Sequence, residues 1–150
     1  MKKAFLLLVI LSLSSCLSKK GKLTFYIENG SRVDTVVNIK VLINQNVKID
    51  SVFKYSTITP NYDTFIVEEI LKDSISIKGI TSTGAVKEFK IKFDKNAYIF
   101  LHYAHDSIMT KKEQLGVEKM KKEIPNYDPT QYLDKKALTE KVQYVEPVLY

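Results

Sequence analysis

The 150 residues are enough for one ordinary domain, and their formal net charge of +6 is moderate for that size. Such a modest excess differs from the clustered basic surface of nucleic-acid-binding proteins, so we expect no nucleic-acid partner. A single cysteine excludes a disulfide within the chain, so packing must stabilise the core.

The first residues have the composition of an export signal. Lys2 and Lys3 precede a continuous apolar run over residues 4–11. A helix that crosses a bilayer needs about 20 apolar residues. Because this run is much shorter, we predict the hydrophobic region of a signal peptide and not a permanent membrane span.

The tetrapeptide Leu13-Ser14-Ser15-Cys16 closes this segment and contains the single cysteine. An aliphatic residue, two small residues and a cysteine resemble the lipobox of bacterial lipoprotein signal peptides. The resemblance implies that residues 1–15 are removed, that diacylglycerol is attached to the Cys16 sulfur, and that the new amine is acylated. Several acyl chains hold a protein on a membrane far more firmly than one. The alternative is an ordinary secretory signal with an incidental cysteine, but extracellular cysteines usually pair.

Residues 16–22 form a short basic tether that contains Lys19, Lys20 and Lys22. One interpretation is that these lysines contact anionic headgroups, at about 1 kcal/mol each. The other is that the segment is a solvated spacer, which we favour because charged linkers are common. Leu17 differs from the aspartate of inner-membrane retention signals, and the tether lacks the acidic residues of surface-export signals. The resemblance to lipoproteins therefore implies an outer-membrane location that faces the periplasm.

Apolar and polar residues alternate with a period of two from Leu23 onwards, which predicts half-buried strands. We predict seven strands, separated by polar turns at residues 29–31, 44–46, 82–84 and 94–96. Their approximate ranges are 23–28, 35–43, 47–53, 64–70, 74–81, 88–93 and 97–103.

Three of these predicted strands carry more specific expectations. The sequence does not determine which face of the fourth strand is buried, so either Phe65 and Val67 or Ile66 could point inward. Gly79 lies where the alternation of the fifth strand slips, which indicates a bulge. Residues 97–103 are apolar on both faces, which is typical of a central strand.

The number and spacing of these strands predict a mainly β protein, an antiparallel β-sandwich over residues 23–104. The pattern resembles immunoglobulin-like and fibronectin-type domains, although it has no cysteine or tryptophan signature.

The period changes after residue 104. Thr110-Lys111-Lys112-Glu113 fits a capping box, so we predict a helix over about residues 111–123. Asp128 and Pro129 are a second helix start signal, which predicts another helix over residues 129–142. Residues 105–150 are therefore expected to be a helical C-terminal extension with a short tail.

His102, His105 and Asp106 are the candidates for a metal site. Residues three apart on a strand point to opposite faces, so the histidines would converge only if the strand ended between them. A zinc site also needs further ligands, and the chain has no other histidine. We therefore favour ordinary structural histidines and predict no metal and no cofactor.

Tyrosine is plentiful, with 9 residues. Some tyrosines could form a stacking platform for sugars or a protein interface. We favour the simpler interpretation that they border a small core with their hydroxyl groups in water. The candidates are Tyr55, Tyr62, Tyr98, Tyr103, Tyr127, Tyr132, Tyr144 and Tyr150.

The sequence contains no nucleophile elbow and no glycine-rich phosphate loop, which favours a non-enzymatic function. Our first hypothesis is a lipid-anchored binding or scaffold module for a protein or an envelope polymer. The second is a small envelope inhibitor or immunity-type lipoprotein that blocks another protein's active site with residues 54–62. The third is a hydrolase or metal-dependent enzyme centred on His102, His105 and Asp106.

Overall fold

The computed structural model describes residues 19–58, 60–105, 111–124 and 135–148, with no side chains at 112–114. The predicted signal peptide, Cys16 and the first part of the predicted tether lie outside these ranges. The described elements are β1 (Lys20–Asn29), β2 (Val36–Ile43), β3 (Asn46–Lys54), β4 (Asp63–Ile70), β5 (Lys72–Thr81), β6 (Val86–Phe93), β7 (Ala97–Ala104), helix α1 (Lys111–Glu123) and β8 (Ala137–Gln143).

The strands form two four-stranded sheets that share one hydrophobic core. Sheet A has the order β4-β1-β7-β8 and sheet B the order β3-β2-β5-β6. The prediction of a mainly β protein with two packed sheets is confirmed. One pairing departs from the expected antiparallel arrangement, because β1 runs parallel to β7. These two strands are far apart in the chain, so no short hairpin forces them to run in opposite directions.

The inward positions follow the predicted alternation. Val37, Ile39, Val41 and Ile43 of β2 are all buried in the core. The turn after β2 places Asn44 and Gln45 at φ angles of 46° and 70°, the left-handed conformation that tight two-residue hairpins require.

The structure resolves the open phase of β4. Phe65 and Val67 pack against the core, whereas Ile66 points outward and is 63% exposed. The prediction of a central position for β7 is confirmed, since β1 and β8 flank it.

The predicted bulge at Gly79 is wrong. Gly79 pairs regularly with Val41 and Lys87, and burial alternates without interruption along this part of β5. A Cβ atom at this position would lie only 2.5 Å from Cδ2 of Leu138, which comes from β8. The glycine is therefore needed to make room for a core side chain of the opposite sheet.

The helix predicted over residues 111–123 is confirmed as α1, but the second predicted helix is wrong where the structure describes it. Residues 137–143 form β8, which pairs antiparallel with β7. Leu138 and Val142 fit the spacing of a helix face and also the alternation of a strand, and the free edge of β7 decides between them. The helix is thus internal and not a C-terminal extension; residues 129–134 lie outside the described ranges.

Ion pairs link the two sheets at both open sides of the sandwich. The Lys48 ammonium of β3 lies 2.6 Å from Glu69 Oε1 of β4. On the other side, the Lys87 ammonium of β6 lies 2.7 Å from Glu140 Oε2 of β8. All four strands are edge strands, where charged side chains discourage pairing with another chain.

The described part of the chain contains no helix with the length and apolarity needed to cross a bilayer.

We expect Leu138→Ala to lower the free energy of unfolding by about 2–5 kcal/mol, because the substitution leaves a cavity between the sheets. Leu138 is 5% exposed and belongs to the common core. Urea denaturation followed by circular dichroism measures the change. The matched control is Val148→Ala at a position that is 73% exposed, where we expect a change within about 0.5 kcal/mol. Equal effects of both substitutions would show that β8 is not part of the folded core.

Candidate functional site

Three loops meet at the end of the sandwich where the parallel strands β1 and β7 terminate; we call it the loop end. They are residues 30–35, 55–62 except Thr59, and 82–85. The amide of Tyr55 donates a hydrogen bond to the Thr35 carbonyl at 2.8 Å, which joins the first loop to the second. Thr83 of the third loop donates its hydroxyl to the Tyr103 hydroxyl at 2.8 Å.

Asp34 is the centre of the polar network at the loop end. Its Oδ2 atom accepts the Tyr103 hydroxyl at 2.5 Å and lies 2.6 Å from His105 Nδ1. The bond from Tyr103, supported by His105, lowers the pKa of Asp34 despite its partial burial. Burial, with a smaller contribution from the bond to Asp34, raises the pKa of Tyr103 to about 12. Asp34 is therefore held as a carboxylate and Tyr103 as a neutral donor.

Ser31 fixes the backbone around Asp34. Its hydroxyl oxygen accepts the amides of Val33 and Asp34 at 3.2 and 2.8 Å, and it donates to the His105 carbonyl at 3.0 Å. The Asn29 side-chain amide donates to the Asp34 carbonyl at 2.8 Å. These bonds hold the first loop in one conformation against the end of β7.

A second polar pair lies on the outer face of sheet A. Glu28 and His102 are register partners on β1 and β7, and Glu28 Oε1 lies 2.8 Å from His102 Nδ1. The other carboxylate oxygen of Glu28 accepts the amide of Asn61 at 3.2 Å. A Cβ atom at Gly30 would overlap the His102 ring, so only glycine allows the ring to occupy this position.

An aromatic cluster continues along the same face. Tyr26 and Phe100 stack with ring centroids 4.9 Å apart, and Tyr62 packs edge-on against both at 6.2 and 5.5 Å. Burial is the main reason that the pKa of Tyr62 is raised, with Glu28 contributing. Asn61 and Tyr62 thus fasten the end of the β3–β4 loop to sheet A.

The tip of the β3–β4 loop is exposed above this fixed base. Ile58 is 76% exposed, although its amide is held by the Ser56 hydroxyl at 3.1 Å. Exposed Ile66 lies on the outer face of sheet A. An exposed apolar side chain on a fastened loop has the character of a binding element, because little flexibility is lost when a partner covers it.

The histidines that the sequence singled out do not form a common site. His102 contacts Glu28 and His105 contacts Asp34, because β7 ends at Ala104 between them. Within the described ranges no three histidine, cysteine, aspartate or glutamate side chains are grouped closely enough to hold a metal ion. Asp106 and Cys16 lie outside the described residues.

The candidate tyrosines divide between several environments. Tyr62 lies in the aromatic cluster, Tyr103 is in the core with its hydroxyl on Asp34, and Tyr144 donates its hydroxyl to the Lys92 carbonyl at 2.8 Å. Tyr127, Tyr132 and Tyr150 lie outside the described residues. Sequence reasoning missed the roles of Glu28 and Asp34, whose partners are 74 and 71 residues away.

No protein-family model matches the chain, and neither a curated protein nor a solved structure does.

We expect Asp34→Asn to destabilise the protein by about 1–3 kcal/mol at neutral pH, the usual loss for a hydrogen bond to a charged group. The pKa of Asp34 is lowered in the folded state from its ordinary value of 3.8. The charged form therefore stabilises the fold above pH 3.8, and this contribution is lost as the pH falls through the lower, folded value. The difference between parent and variant should shrink over that acidic range.

Denaturant titrations at several pH values measure this difference. Asp94→Asn is the matched control, since Asp94 also has a lowered pKa but pairs with Lys92 at the surface. Solvent and salt screen that pair, so its loss should be smaller and should decrease further at high salt. A constant gap between Asp34→Asn and the parent from neutral to strongly acidic pH would contradict the assignment.

Proposed function

We propose that the chain is a lipid-anchored protein of a bacterial cell envelope that acts as a non-enzymatic binding or scaffold module. The lipobox-like residues Leu13-Ser14-Ser15-Cys16 support the anchor. The basic tether and Leu17 support an outer-membrane location that faces the periplasm. The partner we propose is a protein or an envelope polymer.

The observation that carries this proposal is the fastened β3–β4 loop with its exposed tip. Glu28 and Tyr62 hold the base of the loop, and Ile58 projects into solvent. Lys19 is at the opposite end of β1, so a lipid on Cys16 would leave the loop end pointing away from the bilayer. A partner in the periplasm would then reach this loop without obstruction from the membrane.

The finer classification as an immunoglobulin-like domain is also a proposal. It is supported by two packed four-stranded sheets and by connections that change sheets after β1, β3, β4 and β6.

The same loop favours a second candidate function, a small inhibitor or immunity-type lipoprotein. Inhibitors of this kind insert a preformed loop into another protein's active site, and rigid loops do so with the smallest loss of entropy. The exposed Ile58 and the neighbouring Pro60 suit such a loop. Replacing residues 55–61 with a short glycine–serine linker should then abolish inhibition while the core stays folded.

We expect Cys16→Ala to move the protein from the membrane fraction to the soluble fraction, because the anchor would have no attachment site. Envelope fractionation and mass spectrometry of the mature N-terminus measure the location and the acyl chains. Ser18→Ala is a matched control that keeps the lipobox intact. A parent protein that is free in the medium with an unmodified thiol would contradict the anchor.

We expect a photoreactive residue at position 58 to cross-link the partner in intact cells. The matched control is position 52, where Val52 is 58% exposed on the outer face of sheet B. Cross-linking at position 58 alone supports the loop as the binding element. If both positions give the same products, or position 58 gives none, binding through this loop is excluded.

A further inference from the structure

The end of the sandwich opposite to the loop end is built around the first described residues; we call it the tether end. The amide of Leu71 donates to the Lys19 carbonyl at 2.9 Å, and the Lys22 amide donates to Asn96 Oδ1 at 2.9 Å. Lys72 pairs with Phe93. These contacts bring the β4–β5 corner and the β6–β7 turn next to the start of β1.

Exposed lysines outnumber carboxylates at the tether end. Among the described residues, its acidic residues are Glu68 and Glu69, opposite Lys22 and Gly21 in the sheet register, together with Asp73 and Asp94, and Glu69 is paired with Lys48. Asp94 is already paired with Lys92 at 2.7 Å. The lysines are Lys19, Lys20, Lys22, Lys72, Lys92 and Lys95, all of them exposed.

An aromatic side chain contacts two of these lysines, and exposed valines follow it in the sequence. Tyr144 donates its hydroxyl to the Lys92 carbonyl, and the Lys95 ammonium lies 5.3 Å from the Tyr144 ring centroid. Val145 and Val148, which follow β8, are 78% and 73% exposed. Glu146 lies between these two valines in the sequence, and its charge adds to the effect of burial in raising the pKa of Tyr26 on the outer face of sheet A. Lysines around an exposed aromatic and aliphatic segment are a typical composition for a membrane-contacting surface.

The length of the tether sets how far this end can move from a lipid on Cys16. Lys19 is three positions after Cys16, and a fully extended chain covers about 3.5 Å per residue, so the reach is about 10 Å. Electrostatic attraction extends about 8 Å at physiological salt. The lysines of the tether end would therefore stay within or near the range of anionic headgroups.

We propose that the tether end docks on the anionic surface of the bilayer, with its lysines on the headgroups and the Tyr144–Val145 segment in the interface. This surface would fix the orientation of the sandwich, so that the loop end points away from the membrane. The proposal rests on the lipid anchor at Cys16 and adds a second membrane contact to it. It replaces the freely solvated spacer that the sequence alone favours, because β1 brings the tether lysines to the same end of the sandwich as Lys72, Lys92 and Lys95.

The absence of tryptophan from the sequence provides a direct test, since a single introduced tryptophan is the only such reporter in the protein. Mature lipidated Val145→Trp and Ile58→Trp are reconstituted into phosphatidylcholine vesicles that contain brominated lipid, with and without phosphatidylglycerol. With phosphatidylglycerol, we expect the tryptophan emission at position 145 to be blue-shifted relative to position 58. We also expect the brominated lipid to quench it several-fold more strongly. Both variants share the same anchor, so the difference reports orientation.

Charge substitution identifies the residues responsible. Lys20, Lys72 and Lys95 are changed together to glutamine in Val145→Trp, and the matched control changes Lys54, Lys90 and Lys135, which are exposed elsewhere. The first set should remove most of the quenching and its salt dependence, whereas the control set should leave both unchanged. Equal quenching at positions 145 and 58, or equal effects of the two charge sets, would overturn the proposal.

Mass spectrometry of the same preparations separates this inference from the proposed function. An acylated Cys16 with no orientation difference keeps the anchor and overturns the docking surface. If Cys16 is unmodified, the proposed lipid anchor is contradicted. Sedimentation of the protein with the same vesicles then tests whether the tether end binds the membrane by itself. Binding that requires phosphatidylglycerol and the three tether-end lysines supports it, and no binding overturns it.

Discussion

The parallel pairing of β1 with β7 in the middle of sheet A determines where every other feature lies. Because the two strands run in the same direction, Asn29 and Tyr103 are partners at one end of the sheet and Leu23 and Ala97 at the other. The first end collects the loops, and the second collects the tether lysines. The same register places Glu28 opposite His102, and it stacks Tyr26 on Phe100.

Local patterns predicted the strands well because alternation is a property of neighbouring residues. The inward residues of β2 and the apolar faces of β7 followed directly from the sequence. Pairing between distant strands has no such local signature, since any two half-buried strands offer equivalent backbone partners. The parallel β1–β7 pair, and the strand β8 on the free edge of β7, were therefore beyond what periodicity can establish.

The same reasoning explains the errors at single residues. Leu138 and Val142 satisfy both a helical and an alternating pattern, so the sequence pattern does not distinguish a helix from a strand over these residues. Gly79 interrupts the alternation of side chains without forming a bulge, because it provides space for Leu138 from the opposite sheet. For the polar groups, the sequence identifies His102 and His105 as candidates. It does not identify their partners Glu28 and Asp34, which are 74 and 71 residues away in the chain.

The distribution of charge limits which surfaces are left for partners. Lys48–Glu69 and Lys87–Glu140 link the sheets at both open sides, so edge-to-edge strand addition would meet charged side chains there. Partners are then directed to the two ends and the outer faces. The ends differ in chemistry, because the loop end carries a partly buried carboxylate network and an exposed isoleucine, whereas the tether end carries an excess of exposed lysines. The proposed membrane contact at the tether end and the proposed periplasmic partner at the loop end are compatible, because neither would cover the surface that the other needs.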